Sequence, residues 1–283
     1  MGPVTPAAKA GDIIDERYRI VRMIGRGAMA DVFEAEDPQE GRSVALKILR
    51  ANVARDQEAR ERFQIEAHVQ ERVEHRNVAR LYHVGVTQSK PYLVMELLRG
   101  RSLLTVIRKE GPIDVFRAAS YAWQGLQGLA ATHAAGVMHR DLKPANLMLE
   151  PSEGPIDRII LIDFGFASLG VATGLTGIGT VVGTLSYLAP ERLRGERPDG
   201  RADVYGMGII LYELLVGVPP FVGTDAEIMK AHIETPPVPP SQARPYANIP
   251  PALDEAIVKS LAKYPDERFG SAGAMADAIE TAL

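Results

Sequence analysis

The stretch "VMHRDLKPANLML" runs from Val137 to Leu149 and sets five polar side chains among aliphatic ones. A surface loop has no need of the apolar flanks, and a core strand does not tolerate so many polar groups without partners. The mixture marks a place where a buried scaffold presents chemistry. What chemistry depends on what the rest of the chain supplies.

A phosphoryl-transfer site needs three things: an acceptor for the nucleophile's proton, a cation facing the moving phosphoryl charge, and oxygen ligands for a hard metal ion. This loop offers each of them. Asp141 can position or deprotonate a hydroxyl, Lys143 can meet a γ-phosphate, and the amide oxygen of Asn146 can bind a hard cation. A second metal ligand comes from "IILIDFGFAS", where Asp163 ends an apolar run and precedes Phe164 and Gly165. Alone, an aspartate in such a place reads as a turn cap. Two such motifs in this order carry more weight than either.

Further upstream, "GRGAMADV" (Gly25 to Val32) puts glycines in a hairpin-like turn between strand-like runs. A dinucleotide fold would place a helix after such glycines. Here another strand follows, which suits a flap whose backbone N–H groups approach phosphate oxygens. The run "SVALKILR" alternates, with Val44, Leu46 and Ile48 on one face and Ala45, Lys47 and Leu49 on the other. Lys47 therefore needs an anion close by. Glu66, in the less charged stretch "FQIEAHV", is the favoured partner over Glu58, Glu61, Glu71 and Glu74. Glu58 and Arg62 support that segment as a helix.

Bulk properties narrow the field. The 283 residues are 46% hydrophobic and 24% charged, with a formal net charge of -4, so a clustered basic surface for nucleic acid is not expected. With no cysteine, disulfides, thiolate metal sites and cysteine nucleophiles are excluded. The longest apolar run is interrupted by Glu213 and Pro219-Pro220, so no membrane contact by this chain is expected. Residues 1–14 read as a flexible leader. A strand-rich segment, 15–97, precedes a helix-rich one, 98–283. The proline-dense "TPPVPPSQARPYANIPP" reads as an extended connector, and Met275, Ile279 and Leu283 as one stripe of a final helix.

Taken in order, "GRGAMADV", "VALK", the helix glutamate Glu66, "HRDLKPAN", "DFG", "APE" and "RADVYGMG" resemble a protein kinase catalytic domain of the bacterial, eukaryotic-like serine/threonine type, over roughly residues 15 to 283. The resemblance implies an α+β, two-lobed protein kinase fold: a small antiparallel-sheet N-lobe with one key helix, and a larger helical C-lobe. It implies ATP and Mg2+ (or Mn2+) as cofactors and serine or threonine hydroxyls of proteins as acceptors. Lys47 would bind the α- and β-phosphates and pair with Glu66. Asp141 would be the catalytic base, Lys143 the transition-state cation, and Asn146 with Asp163 the metal ligands. Gly25 and Gly27 would lie over the phosphates. Ile24, Val32, Ala45 and Met148 would sandwich adenine, with Met95 at the back of its pocket and the backbone of Glu96 and Leu98 bonded to its edge. His139 and Arg140 are scaffold residues in this scheme, Glu191 partners Arg268, and Asp203 braces the catalytic loop from a buried helix.

Lys143 two residues after Asp141, and Thr184 in "GTLSYLAPE", favour serine/threonine over tyrosine acceptors, with Thr184 shaping the acceptor site. Thr173, Thr176 and Thr180 are candidate autophosphorylation sites whose added charge would pair with Arg140. Ala30 replaces the family's third flap glycine and would stiffen the flap. Two rival readings are a silent nucleotide-binding scaffold and a small-molecule kinase. The retained Lys47, Asp141, Asn146 and Asp163 oppose the first, and the full "APE" segment opposes the second. The expected location is the cytoplasm, either free or as the cytoplasmic part of a membrane-anchored protein. Dimerisation is left open.

Overall fold

A computed structural model describes residues 8–27, 30–50, 67, 71–164 and 185–283. Glu66, Gly165, Thr173, Thr176, Thr180 and Thr184 lie outside the described residues, as does the helix expected around Glu58 and Arg62. Two compact units emerge. One contains the described residues up to Glu74 together with Ala79–Arg99; the other contains His75–Val78 and the described chain from Gly100 onward.

The first unit is a six-stranded antiparallel sheet. Its strands are β1 (Ile13–Ile14), β2 (Tyr18–Arg26), β3 (Ala30–Asp37), β4 (Arg42–Leu49), β5 (Leu81–Thr87) and β6 (Lys90–Glu96), in the order β1-β2-β3-β4-β6-β5. Strand alternation sorts β4 as its sequence implies. Val44, Leu46 and Ile48 join Ile20, Phe33, Tyr92 and Val94 in one apolar cluster. Within the stretch read as a leader, Ala8 and Ile14 are buried in that cluster and β1 pairs with β2. Burying those two apolar side chains, together with the β1–β2 pairing, favours ordering of the segment.

The second unit begins its sheet with β7 (Arg101–Ser102), β8 (Leu147–Glu150) and β9 (Arg158–Leu161). Its helices are α1 (Leu103–Glu110), α2 (Val115–Ala134), α3 (Pro190–Leu193), α4 (Arg201–Val216), α5 (Asp225–Glu234), α6 (Pro240–Ala243), α7 (Pro251–Ser260) and α8 (Ala272–Thr281). Asp114 caps α2 by accepting from the Arg117 N–H, and the helix stops before Gly136, whose φ of 80° closes the turn. Helix α4 is buried on nearly every side, so it forms the spine of this unit. Gly208 makes its crossing with α7 possible, since a Cβ there would overlap Ser260.

Two expectations change here. The proline-dense connector is not uniformly extended: Pro240 and Pro251 each open a helix, where proline's missing N–H costs nothing. In the final helix Met275 and Ile279 are fully buried, but Leu283 lies past the helix end and is exposed.

Candidate active site

In the first unit, residues directly opposite on neighbouring strands share a face. Lys47 stands between Val32 on β3 and Leu93 on β6, and Ala45 stands between Glu34 and Met95. One sheet face thus carries Val32, Ala45, Lys47 and Met95. Gly25 pairs with Val32, and the Gly27 N–H bonds the Ala30 carbonyl at 2.9 Å, which fixes both ends of the described part of the flap. Ile24 is partly exposed on β2, beside a register shift. The Glu96 N–H is used at 2.8 Å on the Arg80 carbonyl, so any adenine contact from this residue falls to its own carbonyl. Leu98 follows, half-buried, beyond the end of β6.

In the second unit, the loop from Val137 to Leu149 resolves its mixed composition by sorting. Val137, Leu142, Leu147 and Leu149 are buried, while Asp141 and Lys143 are about a quarter to a third exposed, at 29% and 26%. The Asp141 carboxylate receives Lys143 Nζ at 2.7 Å and Asn146 Nδ2 at 3.1 Å. Asn146 also donates to the Asp141 carbonyl at 2.8 Å. Both bonds use the amide nitrogen, so the buried side chain's oxygen is directed elsewhere. Met148 follows on β8, paired with Ile160 of β9.

Strand β9 delivers Asp163. The Ile162 N–H bonds the Asn146 carbonyl at 3.0 Å, which ties the two expected metal ligands through one backbone link. His139 Nε2 lies 3.0 Å from the Ile162 carbonyl, and its ring packs 4.7 Å from Phe164. Asp163 has φ 55° and Arg140 φ 63°, a region that costs a non-glycine residue energy and persists only where neighbours hold it.

For Arg140 the holder is Asp203, on the first turn of α4. Its carboxylate accepts from the His139 N–H at 2.8 Å, the Arg140 N–H at 3.1 Å and His133 Nε2 at 2.8 Å. Burial pushes the Asp203 carboxyl upward, but the His133 bond and the backbone donors outweigh it and hold the group below the ordinary range. Burial keeps the His139 imidazole below its usual value and thus neutral at pH 7. Glu191 accepts two bonds from Arg268, at 2.9 and 2.7 Å, with both side chains buried.

Three contributors escaped the sequence reading. His133 bonds Asp203 from the last turn of α2. Asn77 Nδ2 reaches the Ile159 carbonyl at 2.6 Å and Gln124 Oε1 at 3.1 Å. Gln124 in turn accepts from the Ile159 N–H at 3.0 Å, so both brace β9. Only His133, six residues before His139 at the end of a long helix, left a visible cue.

The protein kinase domain family matches residues 18–279, and the chain belongs to that family. It is 39% identical to serine/threonine-protein kinase PknD of Mycobacterium tuberculosis over 94% of this chain and 40% of that protein. It is 38% identical to PknE of Mycobacterium bovis, over 94% of this chain and 46% of that one. The chain thus spans less than half the length of these curated relatives. Among solved structures, the Mycobacterium tuberculosis PknI kinase domain is similar at a TM-score of 0.77 and 29% identity, covering 97% of this chain and 98% of that one. The fold is that of a protein kinase: an antiparallel-sheet unit and a helical unit. The curated relatives it matches are named as bacterial serine/threonine protein kinases. Among the described residues, no helix is long and apolar enough to cross a membrane.

Proposed function

We propose that this chain moves the γ-phosphate of ATP to serine and threonine hydroxyls of proteins. The carrying observation is Asp141: a part-exposed carboxylate gripped by Lys143 and Asn146, on a loop whose backbone Asp203 bonds twice. Asp141 takes the acceptor hydroxyl's proton as the oxygen attacks, and Lys143 balances the charge on the moving phosphoryl group. Val32, Ala45 and Met95 present an apolar sheet face suited to adenine, and Lys47 beside them a cation for the α- and β-phosphates.

The donor set fits a magnesium ion. The Asn146 amide oxygen and the Asp163 carboxylate are hard oxygen ligands, and Mg2+ takes one or two such groups while phosphates and water complete its shell. Among the described residues no cluster of three or more acidic or imidazole groups competes as a metal site. When bound, the ion would neutralise charge between the phosphates.

Protein substrates and autophosphorylation at Thr173, Thr176 or Thr180 belong to the same proposal, as does a cytoplasmic setting where ATP is available. Transfer of labelled phosphate from ATP to a mixed serine, threonine and tyrosine peptide pool tests it. Wild type is expected to label serine and threonine and Asp141→Asn to fall at least ~100-fold. Equal labelling by both would instead favour a silent scaffold.

A further inference from the structure

We infer that Arg192 is a positioning residue for the phosphoryl transfer proposed above, acting through the peptide that joins Arg140 to Asp141. Arg192 Nη1 donates to the Arg140 carbonyl. On the same peptide, the Asp141 N–H donates to the His139 carbonyl at 2.9 Å. Both polar edges of the plane preceding Asp141 are therefore bonded.

Arg140, whose carbonyl lies in that plane, is itself strained, with φ 63°. Asp203 holds the Arg140 N–H at 3.1 Å, on the near side of the strained residue. Arg192 holds its far side. Without the guanidinium, the carbonyl could swing and carry the Asp141 backbone with it, although Lys143 and Asn146 would still grip the carboxylate.

The anchor behind Arg192 is firm. It sits on α3, where its own N–H bonds the Ala189 carbonyl at 3.0 Å, and the adjacent Glu191 is pinned by two buried bonds from Arg268. Arg140, Leu142, Tyr187, Arg192 and Asp203 line one shared cavity. Burial pulls the Arg192 pKa down, while the Asp203 and Asp141 carboxylates pull it back up. The side chain stays cationic, as arginine does in proteins. A lysine would keep the charge but would lose the planar, forked donor. This inference rests on the kinase reading, since it assigns Arg192 to the placement of Asp141.

The test compares wild type with Arg192→Met, Arg192→Lys and Arg192→Ala, measuring transfer to a serine peptide, KM for ATP and melting temperature. Arg192→Met is expected to lose at least tenfold in kcat with KM for ATP within twofold, and Arg192→Lys to recover only part. Added methylguanidine should raise kcat of Arg192→Ala at least threefold while leaving Asp141→Asn unchanged. A kcat within twofold of wild type in folded Arg192→Met would overturn the assignment. So would a loss that tracks melting temperature and ignores methylguanidine. If wild type itself transfers no phosphate, the kinase reading fails, and amide exchange at Asp141 decides the inference separately. Faster exchange in Arg192→Met supports it, and an unchanged rate refutes it.

Discussion

Helix α4 buries two carboxylates about three turns apart, and they respond to burial in opposite ways. Asp203, on its first turn, receives three N–H donors from His133, His139 and Arg140, and its carboxyl sits below the ordinary range. Glu213, near its end, receives the Tyr187 hydroxyl at 2.7 Å, and burial pushes its carboxyl upward against that one bond. Desolvation opposes the charge at both sites. At Asp203 the three donors and the nearby imidazoles of His133 and His139 outweigh it, whereas at Glu213 one hydroxyl does not. The same helix therefore holds one carboxylate that secures the strained backbone at Arg140 and another that is costly to keep charged.

The strongest way to break this comparison is Asp203→Asn. The amide retains one acceptor oxygen but turns an NH2 toward donors that then lack partners, and each unsatisfied buried donor costs about 1–3 kcal/mol. We expect stability to fall by about 2–3 kcal/mol in chemical denaturation. We also expect kcat to fall by about 100-fold, because a small displacement of the reacting groups costs that much. Loss of stability with unchanged kcat would show that Asp203 does not set the loop.

Acid titration gives a second and smaller effect. Because the Asp203 carboxyl is depressed in the folded state, its stabilisation is present above the unfolded carboxylate range and is lost as pH falls through the folded value. His232 contributes earlier. It is fully buried, its Nδ1 lies 2.7 Å from the Tyr205 hydroxyl, and Phe221 packs against its ring. Burial, with Lys263 close by, lowers its pKa from 6.5 to about 4. The folded state therefore binds fewer protons than the unfolded chain between those values, and stability falls as pH drops below 6.5. At pH 5 this amounts to about 2 kcal/mol. His232→Gln should flatten the stability curve between pH 6.5 and 5. An equally steep slope in the variant would assign the acid sensitivity elsewhere.

The two α4 carboxylates also show what could be read from sequence. The fold class was legible because β4 alternates with period two and α4 is apolar all round, and both patterns report burial directly. Asp203, the third residue of "RADVYGMG", was legible only through the resemblance to protein kinases, which implies that it braces the loop. Asn77, Gln124 and Arg192 were not, because each acts on the backbone of a distant segment and no local spacing encodes that geometry. The connector's short helices were missed for a related reason: proline reads as a breaker, yet Pro240 and Pro251 occupy first-turn positions where it is tolerated.

The smallest expected effect sharpens the comparison most. Glu213→Gln removes a charge that burial disfavours while keeping an oxygen to accept from Tyr187. Since the folded carboxyl is raised, the folded state binds more protons than the unfolded chain as pH climbs above the ordinary carboxylate value of 4.5, so the wild-type group loses stability over that rise. The glutamine variant lacks this loss. At pH 7.5 it should be at least as stable as wild type, and any advantage should vanish near pH 4.5. Thermal melts of both proteins across that range measure it. If Glu213→Gln proved as destabilising as Asp203→Asn, the donors and nearby imidazoles would not be what separates the two sites, and a buried charge at Glu213 would have to be favourable in its own right.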